Sequence, residues 1–540
     1  MSAPAVRRAS EVPLAGAGER RSAVRGVAWG GIESATGALV GFLLTPLIVR
    51  VAGIDGLGLW AASWSLAHTA GILDLGVGGS YARFTARAIA TGDRDALNGA
   101  VGAGFGFHLV LSCLVAVAAI ALMPLALARV APRGRFAAQA AAIMTLTLAV
   151  VLLRLTLSAY RGVVAGAQRL DLLGRIGAAT SLLEGAGGAA VLLGGGGLRG
   201  LAVNSLGAAA VACLAEGAVA HHLCPGLRLN PFGARRSDWR EVLSFGLRLQ
   251  VTRGAEILAN HAPRLALALG PGLLSAGAYD LGARAAGALQ LLGALPLPVI
   301  QPLASRLEAR GDRARLRSLV ERATRYVALL VLPGAALLVL EAPAILIAWT
   351  GRPVPEGAAT GARWLAAAAG VSLLVSPARL ALRGIGRPGL EAWATTCGSI
   401  VNLLLALALA LRFGAPGVAL AALSGSIVAA AALSFGGRRG AVDLVQGTLR
   451  RALPGPCIAG VAALLSGAAA RLIAWDPATD PLSRLEALRR LLPEAGLVPA
   501  TFLLAAILAG GLRREDLRLF RDAVPAREQA PAAGGMGGGG

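Results

Sequence analysis

Residues 44–101 align without a gap against residues 263–320, so the chain reads as two copies of one apolar unit. At that fixed offset Gly53 meets Gly272, Gly58 meets Gly277, Trp60 meets Tyr279 and Arg87 meets Arg306. The register runs on through Gly92-Asp93-Arg94 against Gly311-Asp312-Arg313, Leu97 against Leu316 and Val101 against Val320, and Pro124 later meets Pro343. Glycine and alanine matches arise by chance in a chain this rich in both, but a shared GDRxxL at one register does not. Repeated halves are the architecture of transporters whose site lies between them.

The composition places the repeat in a bilayer. Hydrophobic residues make up 56% of the 540 positions and charged ones 15%, far from the balance of a soluble domain. Apolar stretches long enough to cross ~30 Å of hydrocarbon recur near 27–49, 57–80, 101–128, 136–160, 174–196 and 198–221. A second set lies near 241–270, 273–303, 323–350, 360–383, 390–412 and 416–435, with two more near 452–473 and 493–512. The expected fold is therefore an all-α polytopic membrane protein of about fourteen transmembrane helices. An even number of spans per copy returns the chain to its starting side, making the halves parallel repeats. The expected order is a tail at 1–25, a six-helix lobe at 26–222, a polar linker at 223–240, a second lobe at 241–436, two added helices within 437–512, and a disordered tail at 513–540.

All 51 basic residues are arginine, and their placement between spans orients the chain with both termini cytoplasmic by the positive-inside rule. Arg129, Arg133 and Arg135 run against it locally. The densest cluster, Arg306, Arg310, Arg313, Arg315, Arg317, Arg322 and Arg325, is expected to face anionic lipid headgroups. The first 25 residues carry Arg7, Arg8, Arg20, Arg21 and Arg25 but no cleavable secretory pattern, so the first span reads as an uncleaved anchor. The five cysteines are scattered and read as apolar packing residues, and neither they nor His221 and His222 make a metal site. The stretch 474–492 reads as a short amphipathic surface helix.

Ionised groups inside spans carry the functional signal, since each costs at least ~2.5 kcal/mol at mid-membrane and normally faces a cavity or a partner. Arg253, Glu256, Asn260 and Arg264 fall at i, i+3, i+7 and i+11 of the seventh span, one helical face. That stripe is expected to wall a hydrated central cavity whose arginines attract an anionic substrate. Arg154 and Arg284 are assigned to the same lumen, with Arg379 and Asn402 as further candidates. Glu33 either pairs with an arginine of another span or takes a coupling ion; Glu184 and Glu256 are the other ion-coupling or ion-pair candidates. Asp74 reads as a helix-end contact, and the span prolines Pro46, Pro124, Pro296, Pro298, Pro302, Pro333, Pro343 and Pro377 as bending points. No phosphate-binding loop, dinucleotide fingerprint or HExxH pattern occurs, which disfavours an ATP-driven pump, and no cofactor or nucleic-acid partner is expected.

The segment GLGLWAASWSLAHTAGILDLGVGGSYARFTARAIATGDRDALN, residues 56–98, resembles bacterial polysaccharide-biosynthesis membrane proteins. These are the Wzx-type oligosaccharide flippases of the multidrug/oligosaccharidyl-lipid/polysaccharide exporter superfamily. The resemblance implies two six-helix bundles in a V with two extra C-terminal helices. It also implies a multi-pass protein of the bacterial inner membrane that turns a polyprenyl-pyrophosphate-linked glycan to the outer leaflet through a cationic cavity, for surface polysaccharides such as lipopolysaccharide O-antigen. Coupling to a proton or sodium gradient, contact with anionic lipids and docking of polysaccharide polymerase or assembly proteins follow from the same resemblance. A cation-coupled multidrug antiporter, a peptidoglycan-precursor flippase and a non-transporting scaffold remain open on the residues alone.

Overall fold

The computed structural model describes residues 17–69, 74, 77–130, 137–436, 439–474 and 483–510; within its helices the side chains of 17–24, 27, 245–256, 258–259, 439–444 and 472–474 are outside the described set. Arg7, Arg8, Arg133, Arg135, Asp476, Asp480 and the 513–540 tail fall outside it too. Sixteen α-helices are described: α1 (Ala17–Thr69), α2 (Val77–Thr91), α3 (Arg94–Val130), α4 (Ala137–Thr156), α5 (Ser158–Gly166), α6 (Leu170–Leu193), α7 (Gly197–Leu223), α8 (Arg236–Leu269), α9 (Leu273–Ala294), α10 (Ile300–Ala309), α11 (Arg313–Thr350), α12 (Glu356–Gly384), α13 (Pro388–Phe435), α14 (Arg439–Ala452), α15 (Pro454–Ala474) and α16 (Arg484–Leu508). Nine of the described helices or joined helix pairs are long and apolar enough to span a membrane, ten with the bent α14–α15 pair. Because α1 and α13 each hold two arms, and α8 and α9 add two more polar crossings, the fold carries about fourteen spans.

The repeat is visible in the backbone. Gly53 (φ 75°, ψ −176°) breaks α1 into its two arms, and its counterpart Gly272 (φ 109°, ψ −179°) separates α8 from α9 with nearly the same dihedrals. Both lie where an L side chain is strained, so glycine is required at each. The shared GDRxxL has the same cause in both copies. Gly92 and Gly311 adopt φ 71° and 67°, Asp93 and Asp312 accept from the backbone N–H of Ala96 and Arg315 at 2.9 and 3.0 Å as helix N-caps, and Leu97 and Leu316 are buried. One glycine pair touches its own mate: a Cβ on Gly58 would lie 1.9 Å from the Leu273 carbonyl oxygen, and one on Gly277 2.0 Å from that of Ile54. The two lobes thus meet backbone to backbone, an approach that small residues permit in membranes.

Apolar side chains of both lobes merge into one core at this end, with Ile48, Leu57 and Trp60 packing in one cluster with Leu281, Leu346 and Val418. At the opposite end each lobe keeps its own core, around Tyr81, Phe84 and Val163 in the first and around Ile300, Leu316 and Leu382 in the second. Helix α8 runs between them: Val242 near its start belongs to the first lobe's core, Leu267 and Ala268 near its end to the shared one.

Several expectations are corrected. The second span ends at Thr69 rather than near 80. The breaks inside α1 and α13, at Gly53 and Gly414, fall on glycines with positive φ; of the span prolines, Pro296 and Pro298 lie in the break between α9 and α10 and Pro343 beside the one at Glu341, whereas Pro46, Pro124, Pro333 and Pro377 stand inside helices. Arg325 is buried in α11 instead of facing headgroups. Residues 484–492 form no separate surface helix: α16 runs unbroken from Arg484 to Leu508. Its Arg490, with Arg471 of α15, holds the fully buried Glu341 at 2.7 and 3.1 Å, which pins both added helices to α11.

Candidate functional site

Between the lobes one carboxylate carries two arginines. Asp280, on α9, accepts from Arg264 Nε of α8 at Oδ1 (2.8 Å) and from Arg284 Nε at Oδ2 (2.7 Å). Arg264 Nη1 also donates to the Asn260 carbonyl at 2.7 Å, and its guanidinium lies 5.5 Å from the Tyr279 ring centroid. Arg284 reaches into the first lobe, donating to Thr45 Oγ1 at 3.3 Å and the Gly41 carbonyl at 3.4 Å. Two guanidiniums on one acid leave a net positive charge at the seam between the lobes, where desolvation makes it strong.

Arg154 is exposed on α4 and has no hydrogen bond or ion pair among the described residues. It lines a cavity of about 340 Å³ with Trp64, His68, Ser158, Glu184 and Ser205. His68 of α1 stacks on His261 of α8 at 5.0 Å and 14°. Glu184 Oε1 accepts from Ser205 Oγ at 2.7 Å. The second lobe has a polar cavity of its own, also about 340 Å³, lined by Asn260, Ser372, Arg379, Thr395, Asn402 and Ser426. Arg379 there donates to Glu391 and Thr395, both at 3.2 Å. Glu184 and Asn402 therefore each line the cavity of their own lobe.

The sequence-predicted residues are thus divided among three neighbouring places. Arg264 and Arg284 meet on Asp280, Arg154 and Glu184 share the first cavity, and Asn260 opens into the second. Glu33 is held by Arg161 at 3.1 Å, and Arg161 also binds Glu216 at 2.9 Å, the ion-pair alternative of the two expected for it. The backbone of Arg253 and Glu256 lies in α8, but their side chains are outside the described residues.

Sequence reasoning missed Asp280, His68 and His261. Asp280 had a legible signal, an acid four residues before Arg284 in an otherwise apolar span; the histidine stack joins distant segments and had none. It also undervalued Asp74. Its Oδ1 bonds the buried His108 Nε2 at 2.5 Å, and His108 Nδ1 bonds the Tyr81 hydroxyl at 2.9 Å and Ser158 Oγ at 3.3 Å. No cluster of three or more His, Cys, Asp or Glu suited to a metal occurs among the described residues.

The fold is that of a multi-pass membrane protein made of two parallel six-helix repeats with two added helices, with a cationic seam between the repeats. The sequence profile of the polysaccharide biosynthesis protein family matches residues 23–308, more than half of the chain, and the chain belongs to that family. Its fold is shared with the lipid II flippase MurJ in an inward closed conformation (11% identity, 92% of this chain and 99% of that one, TM-score 0.64). An inward-facing multidrug resistance MATE family transporter of the MOP superfamily is also similar (15%, 78% and 96%, 0.56). So is a MOP superfamily transporter from Pyrococcus furiosus (14%, 79% and 96%, 0.51). No curated protein sequence matches the chain. The fold is thus one shared with a lipid II flippase and with MOP superfamily transporters.

Proposed function

We propose that the protein turns a polyprenyl-pyrophosphate-linked oligosaccharide from the cytoplasmic to the outer leaflet of a bacterial inner membrane, by alternating access, for cell-surface polysaccharide assembly. The observation that carries this reading is the positive excess at the seam: Arg264 and Arg284 share the single carboxylate of Asp280, and beside them Arg154 faces a cavity without an ion pair among the described residues, Glu184 being the acid that lines it with Arg154. A pyrophosphate crossing a low-dielectric passage needs such compensation, and guanidinium supplies it bidentately. The common core at the Gly53/Gly272 end, against separate cores at the other, suits loading from the α2/α10 side, and the arginine distribution supports reading that side as cytoplasmic. The same geometry weighs against a cationic drug, for which an excess of arginines is repulsive.

A flippase for the peptidoglycan precursor is the second reading, favoured by the MurJ-like fold over 92% of the chain. A proton or sodium gradient would drive either. The test is reconstitution of the full chain in proteoliposomes containing undecaprenyl-pyrophosphate oligosaccharide or lipid II, each accessible to an external labelling reagent only after flipping. Movement of the oligosaccharide lipid supports the proposal, movement of lipid II alone transfers it to the second reading, and movement of neither refutes both.

A further inference from the structure

A largely apolar groove of about 710 Å³, with Arg129 of α3 as its one charged lining residue, lies beside the Arg154 cavity, between the second arm of α1, the end half of α3, the middle of α4 and the end of α8. It exists because the facing positions are small, Ala62 and Ala67 on α1 and Ala118, Ala119 and Ala126 on α3, where longer side chains would close the gap. Three helices carry residues from this groove directly into the charged site. On α4, Met144 and Leu148 line the groove while Val151 and Leu155 line the Arg154 cavity, and these four fall at i, i+4, i+7 and i+11 on one face. On α1, Ala67 lines the groove and the next residue, His68, the cavity. On α8, Leu265 and Leu269 line the groove directly after Arg264.

We propose that this groove holds the isoprenoid chain of the transported lipid while its pyrophosphate rests at Arg154. The inference rests on the flippase reading and adds a tail-binding site to it. An amphiphile whose anionic head sits at Arg154 has one apolar channel running from that point along α4, about 15 Å from Arg154 to Met144 by helical rise. A long prenyl chain would fill it and continue into the bilayer past the exposed Leu122 and Leu269. An ordinary phospholipid keeps its headgroup at the membrane surface and has no reason to reach Arg154. Small residues here trade packing for a furrow shaped to a branched, flexible chain, which joins the lobes' charged seam to the lipid phase.

The experiment uses the full chain in proteoliposomes with two photoreactive probes, a polyprenyl pyrophosphate and a phosphatidylethanolamine, each bearing a diazirine on its chain. Adducts of the prenyl probe on Met144, Leu148 or the α3 alanines, competed by unlabelled polyprenyl pyrophosphate, are the expected result. Adducts from both probes alike, or prenyl adducts confined to other helices, overturn it. Ala119→Trp and Leu148→Trp fill the groove and should lower transport of a full-length prenyl substrate by about tenfold, a 1.4 kcal/mol effect, while sparing a short-chain analogue. Val117→Trp, on the lipid-facing side of α3, should change neither. Equal loss for both chain lengths overturns the proposal. If wild-type protein moves and binds no prenyl pyrophosphate at all, the flippase reading itself has failed, an outcome distinct from normal transport by groove-filled variants.

Discussion

Substitution at the Asp280 triad separates charge from packing, because removing the acid and removing one base have opposite electrostatic consequences. Each arginine lies 2.7–2.8 Å from its carboxylate oxygen, which puts the charge centres about 4 Å apart and makes each attraction about 4 kcal/mol at an effective dielectric constant near 20. The two guanidiniums, bound to opposite oxygens of one carboxylate, are about 6 Å apart and repel by about 3 kcal/mol on the same scale. Arg264→Gln therefore loses one attraction but relieves the repulsion, a net cost of about 1 kcal/mol. Asp280→Asn loses both attractions and leaves the repulsion in place; after allowing for the desolvation that Asp280 no longer suffers, removing such a buried partner costs about 3–5 kcal/mol. Thermal unfolding of the purified full chain in detergent, followed by tryptophan fluorescence, should show a midpoint drop several times larger for Asp280→Asn than for Arg264→Gln. Arg264→Gln should still impair flipping, since it cancels the positive excess that receives the substrate. An Arg264→Gln destabilisation equal to or above that of Asp280→Asn would refute the charge assignment of the triad.

Arg154→Ala, at a residue with no partner among the described residues, should reduce transport by about tenfold or more with an unchanged unfolding midpoint, measured on the same preparation. Glu341→Ala leaves Arg471 and Arg490 with Glu494 of α16 as the remaining acid of the cluster and should cost about 3 kcal/mol, the low end for a broken buried pair, with α15 and α16 becoming accessible to limited proteolysis; unaltered digestion argues against the anchoring role of Glu341. Gly58→Ala drives a Cβ into the Leu273 carbonyl and should destabilise the chain by at least about 1–3 kcal/mol, seen as loss of monodisperse protein on size-exclusion chromatography, whereas Gly30→Ala, whose Cβ meets nothing within 4 Å, should be tolerated.

Hydropathy, the repeated GDRxxL and the paired glycines were enough to determine an all-helical membrane protein of two parallel lobes. Those features act locally: about 20 apolar residues must cross as helix because the bilayer satisfies no backbone group, and a glycine–aspartate step ends one helix and caps the next wherever it stands. Burial of individual charges was legible for Arg264 and Arg284 for the same reason, since an ionised group in an apolar span must find a partner or a cavity. Which of these it finds depends on residues far apart in sequence. Only the tertiary structure decided that Asp280 neutralises one of two arginines, that His68 stacks on His261, that Glu33 is occupied by Arg161, and that Arg490 leaves the surface to hold Glu341. The breaks at Gly53 and Gly414 were equally out of reach, since a proline and a glycine in a span look alike as bending points until packing selects one. The sequence determined that charges are buried; the approach of the two lobes, set by Gly58 against Gly277, decided which charges remain to meet a substrate.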